Sequence, residues 1–92
     1  MASLHSLIMN YNTDLAAKIA DLEWQVNTHT AISNRESLRA ILAEMESEYD
    51  DYSCFVVEET SAVARRVCAT VLKILRQSID RYRNTLIQAE LL

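Results

Sequence analysis

The sequence contains no glycine and no proline in 92 residues, although average usage predicts roughly ten of them. Glycine supplies the positive φ angles of tight turns, and proline interrupts helices. A turn that needs positive φ is therefore expected to use asparagine or aspartate. These absences disfavour β-hairpins and glycine-rich phosphate loops. They favour long helices joined by few, simple connections.

Membrane and export signals are also missing. No apolar run approaches the ~18 residues of a membrane span, and the first residues lack the basic and apolar regions of a secretory signal. The two cysteines, Cys54 and Cys68, are too few for a disulfide framework, and each lies in an apolar segment. We therefore expect reduced, buried thiols in a cytoplasmic protein.

Patterns that carry catalysis or bind metals are not found. His5 and His29 lie near opposite ends of the predicted first helix, too far apart to share a metal ion. Glu44, Glu48 and Asp51 lie on one side of a predicted helix, and this favours a solvated acidic face over a cation site. There is no Glu-x-x-His pair of the kind used by di-iron bundles. We expect no enzymatic activity, no cofactor and no bound metal.

Apolar residues recur at intervals of three and four, which predicts a first helix over about residues 3–28 with Ser3 as its N-cap. A polar connection follows at about residues 29–33. Ser33 and Glu36 have the spacing of a capping box, so the next helix is expected to begin near residue 34. The apolar face of the first helix consists of Leu4, Ile8, Tyr11, Leu15, Ile19, Leu22 and Val26.

The apolar pattern from residue 34 to about residue 90 leaves one question open, a possible break within residues 50–61. Weak helix formers occur there, yet Tyr49, Tyr52 and Val56 keep the helical spacing. Two all-α architectures follow for a single domain over residues 1–92. One is a helical hairpin with a long second helix, and the other is an antiparallel three-helix bundle. The unbroken spacing slightly favours the hairpin, whose uncovered apolar face would be completed by oligomerisation.

Charge is distributed unevenly along the chain. Residues 1–32 carry −2, residues 33–60 carry −6 and residues 61–92 carry +4, which sums to the net charge of −4. The acidic middle and the basic end suit antiparallel neighbours, either within one chain or between two copies. The basic residues form a stripe on a helix without a recognised nucleic-acid motif. We therefore expect no nucleic-acid partner.

Trp24 points away from the main face of the first helix, onto a second face with Met9, Ala16 or Ala17, and Ala20. A tryptophan there either packs in the core or anchors an interface, because large aromatic side chains dominate binding hot spots. The last helical segment has a broad apolar surface that touches at least two neighbours. The candidate partner-binding residues are Trp24, Met9, Ala20, Val67, Val71, Leu72, Leu75, Ile79, Tyr82 and Leu86.

Residues 71–82 resemble the BH3 helix of apoptosis regulators, because Val71, Leu75 and Asp80 have matching spacing. Tyr82 also matches, whereas the preceding Ser78-Ile79 pair departs from that pattern. The leading hypothesis is a non-enzymatic structural or interaction protein that self-associates, as a homo-oligomer, or docks onto another helical subunit. The alternative is a regulatory effector whose C-terminal amphipathic helix occupies a groove on a signalling protein, as the resemblance implies.

Overall fold

The computed structural model describes residues 3–92 as an elongated bundle measuring 47 × 20 × 17 Å. Helix α1 spans Leu4–Asn27, α2 spans Arg35–Glu58 and α3 spans Ala62–Gln88, with a 3-10 turn at Ala31–Asn34 before α2. The all-α prediction is confirmed, with no strand between residues 3 and 92. None of these helices combines the length and the apolarity that crossing a membrane requires.

The second helical segment is broken at residues 59–61, so the preference for one uninterrupted helix is wrong. Glu59 is extended, with φ −66° and ψ 126°, and Ser61 caps α3 by accepting a hydrogen bond from the Ala64 N–H at 3.2 Å. Acidic Glu58 and Glu59 end α2, where its dipole disfavours them, but they lie beside the N-terminus of α3. The resulting three-helix bundle has a buried core of its own, so self-association remains a proposal.

The two predicted N-caps have different outcomes. The Ser3 hydroxyl accepts a hydrogen bond from the Ser6 N–H at 3.1 Å, which confirms Ser3 as the N-cap of α1. Ser33 instead lies within the 3-10 turn, and the residue that caps α2 is Asn34, without a side-chain capping bond. The capping-box prediction correctly located the start of α2 to within a residue or so, but the box itself does not form.

Two helices end in Schellman motifs that contain no glycine. At the end of α1, the Thr30 N–H donates to the Gln25 carbonyl at 2.9 Å, and the C-cap is followed by His29 at φ 60°. At the end of α3, the Leu91 N–H donates to the Leu86 carbonyl at 2.8 Å, and Glu90 takes φ 60°. The expectation that asparagine or aspartate would supply positive φ is therefore wrong, because the backbone bonds of the motif hold less suitable residues there.

Helix α3 forms the centre of the core because it packs against both other helices. Its buried arc is centred on Leu75, and Val63, Val67 and Ile74 are exposed at one flank of this arc. The predicted broad apolar surface with at least two neighbours is confirmed, because α1 and α2 both pack against α3. The buried core consists of Ile8, Leu15, Ile19, Leu22, Ala31, Leu38, Leu42, Met45, Cys68, Val71, Leu72, Leu75, Ile79, Tyr82, Leu86 and Leu91.

Two polar side chains join helices across the core. The Tyr82 hydroxyl donates to the Leu38 carbonyl of α2 at 3.2 Å, and burial raises the pKa of Tyr82 to about 12. The Asn12 amide donates to the Val71 carbonyl of α3 at 3.3 Å. Each of these bonds fixes how far one helix slides along its neighbour.

Candidate interaction surface

Helix α1 presents small side chains to solvent along the side that flanks α3. Met9, Ala16, Ala20 and Trp24 are spaced by seven, four and four residues, so they lie in one row along the helix. All four are exposed, and Trp24 has 61% of its surface accessible to solvent. Since the core is filled by the opposite side of α1, this row is free of the bundle's own packing.

Helix α3 contributes a parallel row. Asn12 lies level with Val71 and Glu23 with Arg81, separations of 59 and 58 residues, so α1 and α3 run in the same direction. Val67 therefore lies near the height of Met9, and Ile74 near that of Ala16. Val67 is 41% exposed and Ile74 is 44% exposed. We call Met9, Ala16, Ala20, Trp24, Val67 and Ile74 together the α1/α3 face.

An open groove runs between the two rows. A salt bridge between Arg81 and Glu23, 2.7 Å long, closes the groove near Trp24. Both partners are largely exposed, so the bridge orients the side chains more than it stabilises the fold. Alanine and serine side chains keep the groove floor low, so another side chain has room to enter. The groove is lined by Ala16, Ile19, Ala20, Glu23, Ile74, Gln77, Ser78 and Arg81.

The ten predicted partner-binding residues fall into two groups. Trp24, Met9, Ala20 and Val67 are exposed and lie on the α1/α3 face. The other six are core residues of the monomer, so in the closed bundle they pack against α1 and α2 and are not part of an exposed surface. These six are Val71, Leu72, Leu75, Ile79, Tyr82 and Leu86.

Ile74 belongs to the surface, although sequence reasoning did not select it as a binding residue, and Ala16 is the one of the two predicted alanines that lines the groove. The available signal was the seven-residue spacing from Val67 to Ile74, which repeats the spacing from Met9 to Ala16. Trp24, for which core and interface were both open, is not a core residue. Its exposure leaves the interface as the remaining hypothesis.

The opposite side of α1 faces α2 and is acidic. The rings of Tyr11 and Tyr52 meet there, with centroids 5.9 Å apart. Burial, together with the nearby carboxylates of Glu48 and Glu44, raises the pKa of Tyr11 to about 12. This face differs from the α1/α3 face in carrying charged groups around its aromatic pair.

Helices α2 and α3 are joined by unlike charges on a third side. The Arg83 guanidinium contacts the Glu46 carboxylate, and the Arg76 guanidinium lies over the Tyr49 ring, 5.4 Å from its centroid. These pairs follow the predicted match between an acidic middle and a basic end. They occur within one chain, so they carry no information about a second copy.

The two cysteines lie in different environments. Cys68 is buried, and burial raises the pKa of its thiol, as expected for a core cysteine. Cys54 is exposed near the end of α2, so the prediction of a buried thiol is wrong there. Across residues 3–92, no three histidine, cysteine or acidic side chains are grouped to hold a metal ion.

Comparison of the chain with protein-family models, curated proteins and solved structures gave no significant match. The surface itself is therefore the basis for a functional proposal.

Proposed function

We propose that this chain is a non-enzymatic helical interaction module that binds an apolar helix of another protein, including a second copy of itself, through the α1/α3 face. The observation that carries the proposal is the exposed Trp24, which lies one helical turn beyond Ala20 in a groove lined by small residues. Trp24 is not part of the core, so its exposed ring contributes little to the stability of the monomer.

The composition of the face supports helix binding. Trp24 supplies a large, rigid contact area of the type that dominates interface hot spots. Ala16 and Ala20 permit a close approach, since helix axes come within about 8–10 Å only where the side chains between them are small. The Glu23–Arg81 pair gives the groove a polar margin. Apolar centre and polar margin together are the usual arrangement of a binding site.

The alternative of a groove-binding effector needs a different surface. Its helix would present Leu75 and Ile79 to the partner, and both are fully buried by α1 and α2. Such an effector would have to release α3 from the bundle. Binding through the α1/α3 face needs no such release, because its residues are already exposed.

The test compares Ile74→Glu with Ile87→Glu. Both side chains are exposed isoleucines on α3, but Ile87 lies on the opposite flank, away from α1. We expect Ile74→Glu to weaken self-association by about tenfold or more, measured by sedimentation equilibrium, because it places a charge in the apolar groove. Ile87→Glu is the matched control and is expected to leave association unchanged. Trp24 is the only tryptophan, so its emission reports burial of the face directly.

A photo-crosslinking amino acid placed at residue 74, with residue 87 as the control, extends the test to other proteins. We expect adducts at 74 and few at 87 in cells that produce the chain. The proposal is wrong if the purified chain stays monomeric at millimolar concentration, its tryptophan emission does not shift, and position 74 forms no more adducts than position 87.

A further inference from the structure

The end of the bundle where α2 turns into α3 is poorly packed. We call residues 53–67 the hairpin end, and no side chain from Ser53 to Val67 is buried. Val57 is 78% exposed and Val63 is 70% exposed, with Phe55 exposed beside them. These apolar side chains lie on both sides of the break and contribute little to the monomer's core.

The connection itself is held by few contacts. Glu59, Thr60 and Ser61 form it without glycine or proline and without a positive φ angle. The Ser61 hydroxyl caps α3, and the Glu59 carboxylate accepts a bond from the Ser61 N–H at 3.3 Å. Both are exposed local bonds. Rotation of ψ at Glu59 and Ser61 from the extended to the helical region is open to any residue.

The helical spacing of apolar side chains passes through the break unchanged. The residues at these positions are Tyr49, Tyr52, Val56, Thr60, Val63, Val67 and Val71, in steps of three and four. A connection that only reverses the chain has no need to keep this spacing. Joined through residues 59–61, α2 with 24 residues and α3 with 27 residues would make one helix of 54.

We propose that the hairpin end opens and that two copies of the chain exchange α3. In the resulting dimer, residues 35–88 of each copy form one helix, and the α3 portion packs on α1 and α2 of the other copy. Each half then repeats the core of the closed bundle, which is how domain swapping preserves its contacts. The two long helices cross at their hairpin ends. There, Val56 and Val63 of one copy pack against the same residues of the other copy.

Charge is conserved at the crossing. Residues 50–59 carry Asp50, Asp51, Glu58 and Glu59, whereas Arg65 and Arg66 follow the break. Two antiparallel helices that cross near residue 60 bring the acidic stretch of one copy beside the basic stretch of the other, as the hairpin does within one chain. The swapped dimer therefore keeps these unlike-charge neighbours, gains apolar burial at the crossing, and loses only the local bonds around Ser61.

The decisive test mixes two charge-reversed chains. In the closed monomer, Glu46→Arg places an arginine at residue 46 beside Arg83, and the two like charges repel. Arg83→Glu places a glutamate at residue 83 beside Glu46, with the same effect. In a swapped heterodimer of these two chains, both Glu46–Arg83 contacts become unlike pairs again. After joint refolding from urea, native mass spectrometry is expected to show the heterodimer in about threefold to tenfold excess over its statistical share. A mixture that stays monomeric, or that pairs statistically, overturns the proposal.

Ala62→Pro is a second test, because it is compatible with the closed monomer but not with a continuous helix. Residue 62 is the first residue of α3, where proline is well tolerated, and Ser61 already has the extended backbone that a following proline requires. Within a continuous helix, the same proline removes a hydrogen bond and clashes with the preceding turn. The closed monomer is thus expected to fold normally, while the association constant of the dimer falls by about 100-fold or more. An unchanged dimer fraction overturns the proposal.

The exchange is separable from binding at the α1/α3 face. Ile74→Glu should leave the heterodimer excess intact, and Ala62→Pro should leave crosslinking at residue 74 intact. Either proposal can therefore fail while the other stands.

Discussion

The two ends of this bundle differ in how many buried side chains and long-range hydrogen bonds hold them together. At the end that holds residues 28–34, Ala31, Leu38 and Leu91 are buried, and Arg35 Nε donates to the Leu91 carbonyl at 2.9 Å. At the hairpin end no side chain is buried, and the bonds around the connection are local. The comparison shows that side chains at the first end contribute more to the stability of the fold, whereas apolar side chains at the hairpin end stay exposed and available for other contacts.

The largest expected effect comes from truncating side chains on α3. Leu86→Ala should lower the free energy of unfolding by about 3–4 kcal/mol, because Leu86 is fully buried and leaves a cavity. Val63→Ala on the same helix should change it by at most about 0.5 kcal/mol. Urea denaturation of both variants measures the contrast. Equal losses would mean that the hairpin end is as well packed as the core.

High pH should weaken the contact that Tyr82 makes between α3 and α2. Burial raises the pKa of Tyr82 from its ordinary value of 10.0 to about 12, so the folded state favours the neutral phenol. The contribution of Tyr82 to stability is complete below pH 10 and is lost as pH rises from 10 to 12, up to roughly 2–3 kcal/mol. Tyr82→Phe should remove this part of the decline, whereas Tyr52→Phe, a less buried tyrosine nearer the hairpin end, should remove less. Urea titrations at pH 9, 10 and 11 test the difference, and parallel curves for the two variants would contradict it.

The smallest effect concerns the backbone. His29→Gly and Glu90→Gly should each raise the free energy of unfolding by about 0.5–1 kcal/mol, because glycine takes positive φ without steric cost. Thr60→Gly at the hairpin end should lower it by a similar amount, since no positive φ there rewards glycine. Thermal unfolding followed by circular dichroism compares the signs. A stabilising Thr60→Gly would show that the connection is strained.

The predictable and unpredictable parts of this structure have separate causes. Absence of glycine and proline, together with regular spacing, was enough to predict an all-α fold and the first helix to within a residue or two. The break at residues 59–61 was not decided, because the spacing at Tyr52, Val56 and Val63 is the same whether the helix continues or turns. Sequence spacing also gives no direction toward the neighbouring helices, so it did not show that Ile74 and Val67 lie at the exposed edge of the apolar surface of α3.

The candidate surface was half predictable for the same reason. Trp24, Met9 and Ala20 stood out because they lie away from the apolar face of their own helix. The remaining predicted residues were selected for apolarity alone, and apolarity does not distinguish a core side chain such as Leu75 from a binding side chain. Ile74 became identifiable only when α3 was placed beside α1.

The parallel packing of α1 against α3 has a consequence for synthesis. Asn12 and Glu23 meet partners 59 and 58 residues further along the chain, so α1 leaves the ribosome well before the helix that covers it. Until α3 follows, Ile8, Leu15 and Leu22 have only α2 to pack against. A nascent chain that pauses before residue 62 would expose this apolar side of α1 to chaperones, and the bundle closes only when its last helix is complete.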